Sequence, residues 1–283
     1  MLKKEDIRIR DPFILTDREN NCYYMYGTTA LNDGSLAARS SFSVYKSYDL
    51  ESFEEPKVVV DGEKLGLWAT RDYWAAEVHV YGGKYYLFGS MKSDTAHRAT
   101  MIFVCDTPDG EFVPVSDEAR TPADWECLDG TLYIEDGEPY MVFCHEWTQI
   151  KNGEIWAVKL ARDLSRPVEE PFMLFRASDN PNVSEIKGTG SGKYITDGPF
   201  LFTEDGVLKM MWSSIGNKKY QIFIAESDSI RGKWTHREGL YNFSGGHAML
   251  FTTLDGERMI SMHAPNDADN ERACFLKFCR RIN

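Results

Sequence analysis

The sequence predicts an all-β fold, a five-bladed β-propeller with a central active-site channel, on two observations. One motif is written five times: an ionisable residue heads a short apolar strand, a Gly or acidic turn follows, and a second strand, usually rich in aromatics, returns. The copies begin at Asp11, Glu77, Asp129, Asp197 and His247, at steps of 66, 52, 68 and 50 residues. A hairpin of this kind cannot bury its apolar face alone, so the copies must pack around a common axis. Steps of this size exceed a solenoid repeat and suit four-stranded blades of about 40 to 50 residues with variable loops.

In order, the first copy runs from Asp11 through Phe13 and Ile14 and returns over 22–27. The second leads from Glu77 through 78–81, turns at Gly82-Gly83 and returns over 85–89. The third leads from Asp129 through 131–134, turns at Asp136-Gly137 and returns over 140–143. The fourth leads from Asp197 through 199–202, turns at Asp205-Gly206 and returns over 208–212. The fifth leads from His247 through 249–251, turns at Asp255-Gly256 and returns over 259–263. Outer strands follow at 42–45, 101–104, 155–158, 222–225 and 274–278, and the sequence does not show how the last closes the ring. Long inserts at 27–41, 61–73, 165–194 and 264–272 are where substrate walls are expected.

The repeats span nearly all 283 residues, so residues 1–283 are read as a single catalytic domain. A net charge of −12 and a pI of about 5.0 argue against a phosphate-neutralising surface, so no nucleic-acid partner is expected. Aromatic residues make up 13 %, which serves strand packing and also offers faces for sugar rings to stack on. The six cysteines show no C-x-x-C pairing and several sit in apolar strand runs, so they are read as free thiols of a reducing compartment. There is no apolar signal core and no stretch of membrane-spanning length, which gives a cytoplasmic location and no membrane partner as expectations. Oligomeric state is not specified by the sequence.

The heads of the five inner strands converge on the channel mouth and bring four carboxylates and one imidazole together. His79, His145 and His263 fall near strand ends as candidate pocket residues, and Trp74 and Trp147 as stacking platforms for a sugar; inter-blade packing is the plainer role for the two indoles. Inverting glycoside hydrolysis needs one carboxylate to activate water and one carboxylic acid to protonate the leaving oxygen. A third carboxylate close to the acid raises its pKa.

Arg10-Asp11-Pro12-Phe13-Ile14, Trp74-Ala75-Ala76-Glu77-Val78-His79, Leu128-Asp129-Gly130-Thr131-Leu132, Asp197-Gly198-Pro199-Phe200 and Gly246-His247-Ala248-Met249 resemble, in this order, the blade signatures of glycoside hydrolase family 43. The resemblance implies a five-bladed propeller with a central inverting glycosidase site acting mainly on arabinose- and xylose-containing glycans. It implies Asp11 as general base, Asp129 as the carboxylate that raises the acid's pKa and orients it, Asp197 as general acid, and His247 as the axial residue. No organic cofactor is implied; a calcium or other axial ion near His247 is. The family usually carries Glu before this Gly-Pro, so the shorter Asp197 leaves Glu77 and Glu146 open as alternative acids. An oligosaccharide is the expected partner. An exo-acting α-L-arabinofuranosidase or β-xylosidase leads, an endo-arabinanase follows, and a non-catalytic sugar-binding propeller stands as the reading from another class. A protein-interaction propeller of the WD type lacks its Trp-Asp blade endings here.

Overall fold

A computed structural model of the chain describes residues 1–29, 40–186, 192–240 and 243–278, and every structural statement below concerns these residues. They form five antiparallel sheets ranged as propeller blades. The innermost strands are Ile9–Asp17, Arg71–Tyr81, Cys127–Glu135, Asp197–Glu204 and Gly246–Thr252, and each pairs with a returning second strand. Blades two, three and four have four strands, blade five has three, and blade one is enlarged to six by Leu2–Lys3, Ser52–Phe53 and Lys57–Asp61. The expected outer strands are the third strands Ser41–Ser47, Ala99–Cys105, Glu154–Lys159, Lys219–Ser227 and Arg272–Lys277. Most of the insert at 27–41 and part of that at 165–194 lie outside the described residues, as does Cys279; the other five cysteines are free.

The hairpins close where the turn residues predict. Gly82-Gly83, Asp136-Gly137 and Asp205-Gly206 each place two successive residues at positive φ, between 52° and 79°. That backbone matches the twist of the flanking strands, and Gly and Asp adopt it at low cost. Apolar side chains from neighbouring blades share common clusters. Val142, Ile155 and Phe175 of blade three meet Met210, Trp212 and Phe223 of blade four, for example, and Trp212 is fully buried. The ring closes between blades five and one through side-chain and main-chain bonds. Ser261 Oγ donates to the Pro12 carbonyl at 2.6 Å, and Arg10 bonds Glu271 at 2.6 Å. No helix among the described residues is long and apolar enough to cross a membrane.

All five innermost strands carry a bulge at the same place, and it corrects the phase of the repeat. Pairing skips two residues between Arg10 and Phe13, Trp74 and Glu77, Leu128 and Thr131, Asp197 and Phe200, and Gly246 and Met249. The first residue of each bulge is left-handed: Asp11, Ala75, Asp129, Gly198 and His247 have φ of 55°, 49°, 57°, 54° and 52°. A bulge frees two residues from the ladder and re-aims a side chain, and Pro12 and Pro199 suit it because they have no N–H to pair. The equivalent positions are therefore Asp11, Ala75, Asp129, Gly198 and His247. Glu77 lies two residues further along its strand than expected, and Asp197 one residue earlier. Gly198 is required twice over: its φ is left-handed, and a Cβ there would meet the His247 ring at 2.7 Å.

The bulges are tied from blade to blade. The Ala75 N–H donates to Thr28 Oγ1, Asp129 N–H to Ser90 Oγ and His247 N–H to Ser213 Oγ, all at 2.8 Å, and Asp11 N–H to His263 Nδ1 at 3.3 Å. Each acceptor sits on the second strand of the preceding blade, opposite the residue just before the bulge.

Candidate active site

Three of the bulge residues, Asp11, Asp129 and His247, line a cavity of about 270 Å3. Asp11, Asp129, Asp197 and His247 form its floor, with Arg10 and Thr28 beside Asp11 and with Trp74, Leu128, Glu146 and Trp147 lining the rest. Asp11, Asp129 and His247 are buried, while Asp197 is half-buried.

One imidazole stands between two of these carboxylates. His247 Nδ1 lies 3.1 Å from Asp11 Oδ1 and 3.6 Å from Asp129 Oδ2. Burial opposes the charged form of His247, yet Asp11 and Asp129 push its pKa up to about 10, so it is a cation at neutral pH. Burial likewise works against ionised Asp11, but the His247 and Arg10 cations hold it well below the usual carboxylate range. Thr28 donates its hydroxyl to Asp11 Oδ2 at 3.0 Å. Arg10 approaches Asp11 Oδ1 at 3.6 Å and is itself anchored by Glu271 and, at 2.8 Å, by Asn266.

Asp129 and Asp197 move the other way. Burial pushes Asp129 up to about 7, with the charges of Asp197 and Asp11 adding to the effect and His247 opposing it. Burial pushes Asp197 up to about 6 against the pull of Arg10, His247 and the hydrogen bond from Tyr220. Both carboxyls therefore hold a proton to higher pH than an ordinary carboxylate does. Tyr220 donates to Asp197 Oδ2 at 2.9 Å, and the Gly198 N–H donates to Asp129 Oδ2 at 2.9 Å. The site thus presents one carboxylate kept ionised and one pair kept partly protonated, which is the division of labour that acid–base chemistry at a single bond requires.

Of the residues expected at the site, Asp11, Asp129, Asp197, Glu146, Trp74, Trp147 and His247 line the cavity. Glu77 does not: the bulge residue of its strand is Ala75, and Glu77, two residues further along, is buried 3.0 Å from His79 Nε2. His79 lies with it, edge-on to Phe13 and Phe88, and borders an apolar recess that Phe13, Val78 and Phe251 also line. His145 is stacked on Trp125 at 4.3 Å and bonded to Gln149, away from the cavity. His263 is wholly buried behind Asp11, its Nδ1 accepting the Asp11 N–H and its Nε2 meeting Asn266. Burial raises the pKa of Glu146, and the Arg98 guanidinium 3.8 Å away opposes the rise. Arg98 also stacks on Trp74, 3.7 Å from the ring centroid, and bonds Asp72. Arg10, Thr28 and Tyr220 were not singled out by the sequence. The first immediately precedes Asp11, but Thr28 and Tyr220 reach their carboxylates from 17 and 23 residues away along the chain.

Residues 6–279 match the profile of glycosyl hydrolases family 43. The chain belongs to this family. An endo-arabinase from Bacteroides thetaiotaomicron VPI-5482 is a similar solved structure, 38 % identical with a TM-score of 0.91, the match covering 100 % of this chain and 98 % of that one. The extracellular endo-α-(1→5)-L-arabinanase 1 of Bacillus subtilis (strain 168) is 22 % identical over 255 residues, 86 % of this chain and 72 % of its own length. A β-xylosidase/α-arabinofuranosidase of the family from a compost microbial metagenome, solved with xylotriose in a calcium-free form, shares the fold at a TM-score of 0.75 and 16 % identity, over 100 % of this chain and 94 % of that one.

An axial calcium near His247 was the expectation from the sequence. His247 Nε2 is buried and has no hydrogen-bond partner among the described residues. No group of three or more His, Cys, Asp or Glu side chains among them could hold an ion. A calcium ion takes six to eight oxygen ligands, and a single imidazole nitrogen does not supply them. The residues present do not fit a protein-ligated ion.

Proposed function

We propose that this family 43 chain is an inverting glycosidase that cleaves α-1,5-linked L-arabinan within the chain. The observation that carries the substrate is the 38 % identity, over the full length, to a solved endo-arabinase. It puts the endo-arabinanase ahead of the exo-acting arabinofuranosidase or xylosidase that the sequence placed first.

In this reading Asp11, held ionised by His247 and Arg10, takes a proton from the water that attacks the anomeric carbon. Asp197 delivers a proton to the leaving oxygen. Tyr220 donates to Oδ2 of Asp197, so the proton to be delivered sits on Oδ1. Asp129, in its ionised form, disfavours a second negative charge beside it and so keeps Asp197 from ionising too early. Asp197 sits one residue before the bulge, level with Arg10, Trp74 and Leu128, all of which line the cavity. The carboxyl thus reaches the substrate space despite its short stem. Trp74 and Trp147 offer ring faces to the sugar.

Digestion of linear arabinan, branched arabinan, xylan and nitrophenyl α-L-arabinofuranoside tests this reading. The expected result is an early fall in the viscosity of linear arabinan with oligosaccharides of mixed length. Release of arabinose alone would return the exo reading, and binding of arabinan without any cleavage would make the chain a sugar-binding propeller.

A further inference from the structure

Four of the five bulges are tied to the preceding blade by one device, and the exception lies beneath the acid pair. Thr28, Ser90, Ser213 and His263 stand opposite Arg10, Trp74, Asp197 and Gly246, and each accepts the first bulge N–H of the next blade. The fifth equivalent position, opposite Leu128, is Cys144. Its side chain is fully buried, and the charges of both Asp129 and Asp197 act on its thiol. A thiol is a weak acceptor where a hydroxyl or imidazole is a strong one. The N–H that this position should bind, that of Gly198, donates instead to Asp129 Oδ2 at 2.9 Å.

We propose that Cys144 is a positioning residue: by withholding the acceptor that the other four blades supply, it delivers the Gly198 N–H to Asp129 and fixes that carboxylate against the strand carrying Asp197. The inference rests on the reading of Asp129 and Asp197 as partners in acid catalysis. His247 faces the same carboxylate at 3.6 Å, and the charges of Asp11 and Asp197 also act on it. None of these fixes the orientation of Oδ2 through a short hydrogen bond; Gly198 does.

The test is Cys144→Ser beside Cys144→Ala. Serine already fills the position in blades two and four, and its hydroxyl competes for the Gly198 N–H; alanine offers no acceptor. In crystals of C144S the Gly198 N to Asp129 Oδ2 separation should lengthen beyond about 3.5 Å, while in C144A it should hold. On linear arabinan, kcat for C144S should fall about tenfold below that for C144A with little change in KM, the scale expected for losing one hydrogen bond to a charged group. The gap should narrow on nitrophenyl arabinofuranoside, whose leaving group hardly needs an acid. An intact Gly198–Asp129 bond in C144S, or equal kcat for the two variants on arabinan, would overturn the proposal. Should C144S not fold, Cys144→Thr carries the same test, since threonine holds this place in blade one. If wild type cleaves neither substrate the functional reading fails, and the crystallographic comparison still decides where the Gly198 hydrogen goes.

Discussion

His247 Nδ1 stands 3.1 Å from Asp11 Oδ1, a buried ion pair formed by the bulge residues of the last and first blades. The pair closes the ring electrostatically, and in the proposed mechanism it holds Asp11 in the ionised form a base needs. Removing one member of a buried pair leaves the other uncompensated. His247→Gln should therefore raise the pKa of Asp11 and move the acid limb of the kcat/KM profile to higher pH. A pH–rate profile of the variant with an unmoved acid limb would show that His247 does not hold Asp11 ionised.

The acid is named by comparing leaving groups. Asp197→Asn should lower kcat on arabinan by about 10² to 10⁴, the usual contribution of a general acid, and much less on nitrophenyl arabinofuranoside. Glu77→Gln, which alters a residue below the cavity, should leave the ratio between the two substrates at its wild-type value. Steady-state assays of both variants on both substrates check this. Glu146→Gln belongs in the same series, because Glu146 does line the cavity.

Tyr220→Phe removes the donor to Asp197 Oδ2. That hydrogen bond favours the ionised form, so its loss raises the pKa of Asp197. The active enzyme needs the acid protonated, and the alkaline limb of the profile should therefore move to higher pH while the acid limb stays. A downward shift of the alkaline limb would reverse the assigned direction of the bond.

Trp74 is backed by the Arg98 guanidinium at 3.7 Å. A cation over an aromatic face contributes about 0.5 to 2 kcal/mol, and here it packs against a ring that lines the cavity. Trp74→Ala should raise KM for arabino-oligosaccharides by at least tenfold, and Arg98→Met by a smaller factor, with kcat less affected in both. Titration of binding in an Asp11→Asn background isolates the effect from chemistry.

Stability should decline toward alkaline pH, and the sign follows from groups whose pKa folding raises. His247 goes from 6.5 to about 10, so its contribution is complete below 6.5 and lost as pH rises through about 10. Asp129 goes from 3.8 to about 7, so its contribution is complete below 3.8 and lost as pH rises through about 7. Asp11, held low, works the other way and is lost only on strong acidification. Thermal melts should give the highest Tm in the mildly acid range and a steady fall to pH 10. His247→Gln should flatten the alkaline part of that curve.

The repeat was legible because polar strand heads, turn glycines and aromatic return strands recur together, and that combination has few physical solutions other than a ring of hairpins. Its phase was harder to read. Carboxylates align by eye as Asp11, Glu77, Asp129 and Asp197, whereas the chain aligns on the left-handed bulge residue, which is Ala75 in blade two and Gly198 in blade four. Pro12 and Pro199 carried the correct register, since both follow that residue directly. Glu77 was placed at the mouth for this reason, and Asp197 kept its place in the cavity only because the position before the bulge also faces it. The supporting contacts of Thr28, Tyr220 and His263 run between strands or blades. Nothing local in the sequence marks such partners, and only the folded ring brings them beside the carboxylates.

In the proposed mechanism Asp11 activates water in a single displacement. Proton NMR of linear arabinan during the first minutes of cleavage tests it most directly, by the anomeric configuration of the newly formed reducing ends. Inversion gives β-configured ends from the α-linked polymer, and Asp11→Asn should give none. Ends that first appear in the α configuration would mean retention, and would contradict the assignment of Asp11 as a general base.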